Sequence, residues 1–373
     1  MNKVPNGYQV IELFESFSPK HLAMEGDKIG LQIGTLNKPV YKVMITLDVL
    51  EMVVDEAIEQ HVDLIIAHHP PIFRPLKQIQ TDQPAGRIVE KCIKHDIAVY
   101  AAHTNLDIAE GGVNDLLAEA LGLQNTEVLV PTGAEELNKF VVYVPETHYE
   151  AVHQAISKAG AGEIGLYSGC AFFTEGVGTF TPSEQANPYI GSQGTVERVK
   201  EVKIETIFPA RLQKKVVQAV LRAHPYEEVA YDIYNLKQKG KEYGLGKIGH
   251  LSREMTLKEF AHHVKEALDV EGLRVVGNLN DTVKKVAVLG GDGNKYISNA
   301  KFKGADVYVT GDLYFHVAHD AMMMGLNVID PGHHVEKVMR QGVEKKMQEL
   351  CKDKKFECTI FSSKVNTNPF TFL

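Results

Sequence analysis

Short apolar runs alternate with amphipathic stretches through most of the chain, and the two periods predict strands and helices in turn. Residues 8–17 place Val10, Ile11, Leu13, Phe14 and Phe17 at helical spacing, with Asn6 available as a cap. The glycine-rich segment from Gly26 to Gly34 reads as a plain turn entering a strand. Residues 41–47 alternate and are β-branched, which predicts a strand, and an amphipathic helix follows over 50–61. Leu64 to Ala67 is a continuous apolar run of buried-strand length, and it stops at His68-His69-Pro70-Pro71. A helix over 87–95, a strand over 97–101 and, past Gly111-Gly112, a helix over 113–121 complete a first α/β segment. Strand, helix and strand in that order imply right-handed parallel crossovers.

The pattern shifts near residues 131–138. Strands over 140–144, around 171–174 and 203–208, and over 229–234 then enclose helices over 148–158 and 209–223. Two strand-helix-strand units in about a hundred residues predict a ferredoxin-like α+β module. It reads as an inserted domain, because the α/β pattern resumes after it. The resumption begins with Gly244-Leu-Gly246-Lys-Ile-Gly249, which matches a dinucleotide fingerprint as a string, but a helix starts only at residue 257. A fingerprint loop opens directly into its helix, so this stretch is expected to be a flexible returning strand. Strands over 284–290, 306–310 and 326–329 follow, with helices over 257–268, 296–302, 315–324 and 335–350. The last helix carries Val335, Met339, Val343 and Met347 as one apolar stripe. Residues 41–69 and 284–312 echo one another. The expected fold is therefore α/β, with two related lobes facing each other (1–130 and 240–373) and the inserted domain over 131–239.

Composition narrows the functional classes. Of 373 residues, 44% are hydrophobic and 24% charged, which is ordinary for a globular protein. The net charge of -8 argues against a dominant nucleic-acid surface. The four cysteines form no close pair, so reduced thiols and a cytoplasmic location are expected. No signal-like N-terminal segment and no apolar run of membrane-spanning length occur.

Candidate chemistry concentrates at predicted strand ends: His68-His69, His103 to Asp107, Gly311-Asp312, and His333 to Glu336. If the strands are parallel, all four clusters share the carboxyl edge of a sheet, where α/β folds bind ligands. His333 and Glu336 stand three apart at the start of a helix and so share a face, which an imidazole and a carboxylate can use to grip a metal. His334 is less well placed. Adjacent His68 and His69 alternate in direction and more easily serve two ions than one. A mixed nitrogen and oxygen donor set suits zinc, iron, manganese, cobalt or nickel.

Together these segments resemble the GTP cyclohydrolase I type 2 homologues, also called the Nif-three-like dinuclear metal-centre family. The likeness rests on the run from Leu64 to Pro70, on His103-Thr-Asn-Leu-Asp107, on Gly332-His333 to Glu336, and on the segments Asp27 to Gly34 and Gly290 to Gly293. It covers both outer lobes. The middle module, with His224-Pro-Tyr-Glu-Glu228, resembles the PII-like or CutA-like insert of longer members. The resemblance implies two divalent ions per chain, held by His68, His69, Asp107, His333 and Glu336, and a toroidal homo-oligomer, often a hexamer. Shorter members tend to space the last histidine and glutamate four apart, which leaves the choice between His333 and His334 open. His103 is the candidate acid/base or ligand-orienting group.

Three functions are compatible with this reading. One is a dinuclear-metal hydrolase acting on a small polar substrate such as a nucleotide, by cyclohydrolase-type ring opening. The second is a metal-dependent phosphoester or nucleotide hydrolase. The third is a metal-binding regulatory protein that uses the insert to dock a ligand or partner.

Overall fold

The protein is described from a computed structural model covering residues 3–373. Eleven α-helices and two β-sheets form a mixed α/β fold among the described residues. In chain order the elements are α1 (Gly7–Phe17), β1 (Gly30–Ile33), β2 (Lys42–Thr46), α2 (Glu51–Glu59), β3 (Leu64–Ala67), α3 (Pro84–Lys94), β4 (Ala98–Ala101), α4 (Thr104–Ile108) and α5 (Val113–Ala120). Then come β5 (Gln124–Pro145), α6 (Tyr149–Lys158), β6 (Ala171–Phe180), β7 (Glu197–Pro209), α7 (Gln213–Ala223) and β8 (Tyr231–Thr256). The chain continues with α8 (Leu257–Ala267), β9 (Arg274–Val276), β10 (Thr282–Asp292), α9 (Ile297–Phe302), β11 (Val307–Gly311), α10 (Phe315–Met323), β12 (Asn327–Asp330), α11 (Val338–Asp353) and β13 (Thr359–Ser362). Two compact units result, Met1–Thr132 with Tyr243–Leu373, and Gly133–Glu242.

Within the first unit, β2, β3 and β4 are parallel, and β1 runs antiparallel to β4. Likewise β10, β11 and β12 are parallel, and β9 runs antiparallel to β12. The orders β1-β4-β3-β2 and β9-β12-β11-β10 therefore correspond strand for strand. The fifth strands break the likeness, because β13 is parallel to β2 whereas β8 is antiparallel to β10. The correspondence reaches individual bonds. Asp63 Oδ2 accepts from the backbone N–H groups of Tyr41 and Lys42 (2.7 and 2.9 Å), and Lys42 Nζ donates to the Gln60 carbonyl (2.7 Å). Asp306 Oδ2 accepts from Lys284 and Lys285 (2.9 and 2.7 Å), and Lys285 Nζ donates to the Lys303 carbonyl (2.7 Å). Each aspartate uses backbone donors at the start of one strand to fix the entry of the next, which also satisfies N–H groups that the ladder leaves over.

Side-chain alternation sorts the strands between cores. Val43, Ile45, Leu64, Ile66, Val286, Val288, Val307 and Val309 share one core with Met339, Val343 and Met347 of α11. The alternate residues Met44, Ile65 and Ala67 pack outward with α2 and α3, while Ala287, Leu289 and Tyr308 pack with α9 and α10. The predicted stripe, Val335 in the 3-10 segment and Met339, Val343 and Met347 in α11, is thus buried against strand residues of both sheets. Local signals set the helix ends. Asn6 and Gln9 form a capping box on α1, as do Thr256 and Glu259 on α8, and Pro84 opens α3 at its first turn.

Several elements differ from the sequence reading. The last helix starts later than expected, because His333–Lys337 forms a 3-10 segment before α11. The helix expected over 87–95 begins at Pro84, since proline's fixed φ suits a first turn. Residues 131–138, where the composition shifts, lie inside β5, and the glycine string 244–249 lies inside β8. Strands β9 and β13, with three and four residues, are too short to leave a period. The second unit follows the order β5-α6-β6-β7-α7-β8, with β7 antiparallel to both β5 and β6. Its own core gathers Phe140, Val152, Ile156, Phe208, Val216 and Val220. No helix among the described residues is long and apolar enough to cross a membrane.

Candidate metal centre

The first unit's parallel strands deliver their polar ends to one place. β3 ends in His68-His69, β4 in His103, β10 in Gly291-Asp292, β11 in Asp312, and β12 runs through Gly332 to His333. Asp107 lies on α4, a helix of five residues between two loops that carries no apolar period to announce it. Glu336 lies on the 3-10 segment. Side chains three apart nearly eclipse in such a helix, and His333 Nε2 comes to 3.2 Å from Glu336 Oε2.

One carboxylate oxygen is the focus. Glu336 Oε2 is 3.0 Å from His69 Nε2, 3.2 Å from His333 Nε2 and 3.7 Å from His68 Nε2. His68 Nε2 is also 3.6 Å from Asp107 Oδ1. Both of those last atoms are fully buried and have no hydrogen-bond partner. An unpaired buried polar atom is costly, and two of them facing each other among further donors could be satisfied by a cation. Among the described residues three groups have donor atoms close enough for one ion: His68 with Asp107 and Glu336, His69 with His333 and Glu336, and His68 with His69 and His103. Glu336 belongs to two of them. His334 belongs to none, and it is His333 that converges on Glu336.

The other ring nitrogen of each histidine is tied down. His68 Nδ1 donates to the Ala102 carbonyl (2.9 Å), His69 Nδ1 to Asp48 Oδ1 (2.7 Å), His103 Nδ1 to Asp27 Oδ1 (2.8 Å) and His333 Nδ1 to Asp312 Oδ2 (2.8 Å). Metal-binding histidines are held in this way, since the bond fixes both ring orientation and tautomer. Asp48 is fixed in turn by the Thr367 hydroxyl at 2.5 Å, and Asp27 by the Thr104 backbone and hydroxyl.

Charge coupling follows from the geometry. Burial opposes a charge on His69, yet its bonds to Asp48 and Glu336 overcome this and raise its pKa to about 10. His333 is raised to about 9, again against burial, by Glu336 and Asp312. Burial is the main force on Asp107 and raises it to about 6. Burial also acts to raise Glu336, but the imidazoles of His333, His68 and His69 hold it well below the ordinary carboxylate range.

Two glycines let the second lobe fold tightly around this point. A Cβ at Gly311 would meet the Gly332 and His333 backbone at 2.8 Å, so the end of β11 can press against the 3-10 segment only without a side chain. Gly291 has φ +66°, and a Cβ there would stand 2.7 Å from Glu336 Oε1 and 3.2 Å from His333 Nε2. Across the same seam the fully buried Asn114 donates to the Asp107 carbonyl (3.0 Å) and accepts from Gly290 N–H (2.9 Å).

Residues 5–369 match the sequence profile of Duf34/NIF3 (NGG1p interacting factor 3). The chain belongs to the Duf34/NIF3 family. It is 66% identical to a Bacillus subtilis (strain 168) protein named GTP cyclohydrolase 1 type 2 homolog, over the full length of both chains. Among solved structures it is similar to a Bacillus cereus protein related to NIF3, with TM-score 0.94, 66% identity and full coverage of both chains. A Staphylococcus aureus protein aligns with TM-score 0.76 and 32% identity over 99% of each chain. This Duf34/NIF3 chain shares the fold of those structures.

The sequence places Asp312 in a candidate cluster and Asp27 in a segment of the family resemblance, but it does not show that Asp27, Asp48 and Asp312 orient the histidines. Asp27 sits in the glycine-rich segment expected to be a plain turn, and Asp48 follows β2 with no neighbour in sequence that marks it. The only available signal for Asp312 was its place at a strand end that matches His69 in the other half-sheet.

Proposed function

We propose that this Duf34/NIF3 chain holds two divalent cations and acts as a metal-dependent hydrolase on a small polar substrate. The observation that supports this best is the sharing of Glu336 by two donor groups, one with His69 and His333 and one with His68 and Asp107. A set built of imidazoles and carboxylates without cysteine differs from the closed sites that serve structure alone. The donor types are compatible with zinc, iron, manganese, cobalt or nickel. When bound, such a pair supplies Lewis acidity toward water and toward an oxygen-rich substrate.

The chain's own residues supply the rest. His68, His69, Asp107, His333 and Glu336 bind; Asp48, Asp312 and the Ala102 carbonyl orient; and Asn114 keeps the seam closed. His103 has its ring 5.3 Å from that of His68 and 5.8 Å from that of His69. Burial works against its charge, but Asp27 and Asp107 raise its pKa above the ordinary value, which fits it to hold a proton and deliver it to a leaving group. The name of the Bacillus subtilis relative suggests GTP as the first substrate to try, with hydrolytic opening of the guanine ring; a phosphoester or nucleotide hydrolase would use the same centre.

Metal-loaded protein incubated with GTP should release formate. If no formate and no pterin precursor appear with any of the five metals, the ring-opening reading fails. Metal analysis of His68→Ala and Glu336→Ala addresses the centre itself: two ions per chain retained in both would refute the ligand set. The βαββαβ order of the second unit supports a further reading, a PII-like or CutA-like insert that serves regulation or assembly. On that reading the chain forms a toroidal hexamer in the cytoplasm, and light scattering of the purified chain at a monomer mass would exclude it.

A further inference from the structure

The second unit contains a cavity of about 690 Å³ that the metal centre does not use. Its size is that of a small-molecule site. Rings line one side. Phe180 and Tyr226 have centroids 5.8 Å apart at 64°, and Tyr189 and Tyr226 are 6.4 Å apart at 49°. Tyr226 is held in place from two directions. Its hydroxyl donates to Glu201 Oε1 (3.1 Å), and its backbone N–H donates to His224 Nδ1 (3.1 Å). His224 is buried, and its Nε2 donates to the Tyr143 carbonyl (2.9 Å). Tyr226, Glu227 and Glu228 therefore build one wall of the cavity, with His224 behind them as a brace.

Charge decides what such a cavity takes. Glu175, Glu201, Glu227 and Glu228 line it, against one cation, Lys203. The Lys203 ammonium is engaged by Glu205 Oε2 at 3.2 Å. Glu227 accepts from the Asn187 N–H (3.0 Å), which ties residues of the 181–190 loop to the acidic wall. Net negative charge repels phosphates and carboxylates. The acids do not converge as a metal group either, since every such group found among the described residues lies in the metal centre. Aromatic faces beside carboxylates attract organic cations, through the ring quadrupole and through direct charge.

We propose that this cavity binds an organic cation, an alkylated ammonium or a polyamine, with the rings of Tyr189 and Tyr226 and the carboxylates of Glu201, Glu227 and Glu228 as the recognising groups. The test is calorimetric titration of the full chain with choline and with spermidine, with guanosine as an uncharged aromatic control. At least one of the cations should bind saturably at one site per chain and weaken at roughly 0.5 M salt, because surface charge attraction is screened there. Guanosine should not bind. Tyr226→Ala should weaken binding about tenfold, whereas Tyr226→Phe, which keeps the ring, should stay within about threefold. The double variant Glu227→Gln/Glu228→Gln, on exposed side chains, keeps an Oε1 acceptor for the Asn187 N–H while removing both charges, and should weaken it about tenfold as well. Metal content should stay at the wild-type value in all variants. The proposal is overturned if neither cation binds saturably up to about 10 mM, if guanosine binds and the cations do not, or if the Glu227/Glu228 variant binds as tightly as the wild type.

Discussion

Metal uptake by this centre should be a proton-releasing event, and its size can be worked from the geometry. In the metal-free protein His69 lies between Asp48 and Glu336 and titrates near 10, so at pH 7 it is charged. Its Nε2 can take a cation only after losing that proton. Three pH units correspond to about 4 kcal/mol against uptake at pH 7. His333, raised to about 9 and more exposed than His69, adds a smaller amount. The sign is fixed: both pKa values are raised, so the competing protons are present at neutral pH and leave as pH rises toward 9 and 10. Binding of manganese at pH 7 should therefore release about two protons, one from each imidazole, and apparent affinity should climb about tenfold per pH unit for each proton displaced. Calorimetry in buffers of different ionisation heat counts the protons directly. Glu336→Gln removes one of the two carboxylates facing His69 and should lower the count along with the affinity. The same shifts bear on the metal-free fold, which should hold full stability from these two charges below pH 6.5 and lose it as pH passes 9 to 10. A release of less than about half a proton, with affinity flat from pH 6.5 to 8.5, would refute the coupling of His69 and His333 to Glu336.

Other consequences are simpler to check. Asp48→Asn should lower metal affinity by roughly 10- to 100-fold with the fold intact, read by equilibrium dialysis, because it removes the charge that orients His69. Asp312→Asn should cost less, since Asp312 is more exposed than Asp48. Gly291→Ala should weaken metal binding about tenfold or more, because it strains a left-handed residue and pushes a methyl group against Glu336 and His333. Met339→Ala, at a fully buried position in the core shared by the two half-sheets, should destabilise the protein by roughly 2 to 5 kcal/mol in urea unfolding.

Much of this was legible in the chain because some signals are local. A four-residue apolar run that stops at paired histidines and a proline can hardly be anything but a strand end, and the i, i+3 spacing of His333 and Glu336 survives the change from α-helix to 3-10 segment. The α11 stripe was legible because an amphipathic period repeats over many turns. Asp27 and Asp48 were illegible for the opposite reason. Each acts on a histidine far away in sequence, 76 positions for Asp27 and 21 for Asp48, so the residues beside either do not show which histidine it serves. The β13 strand was missed because four residues carry too little pattern to outweigh the polar stretch that surrounds them.

The bond between His69 and Glu336 spans 267 positions, and 110 of these, residues 133 through 242, lie in the second unit. Closing a loop costs entropy only as the logarithm of its length. Carrying the second unit inside this loop therefore adds about 0.5 kcal/mol to closure compared with a chain that lacks it. That is less than the worth of one ordinary hydrogen bond. As far as chain entropy is concerned, a module of this size can be gained, lost or exchanged at residues 133 and 242 with little effect on whether the two halves find each other.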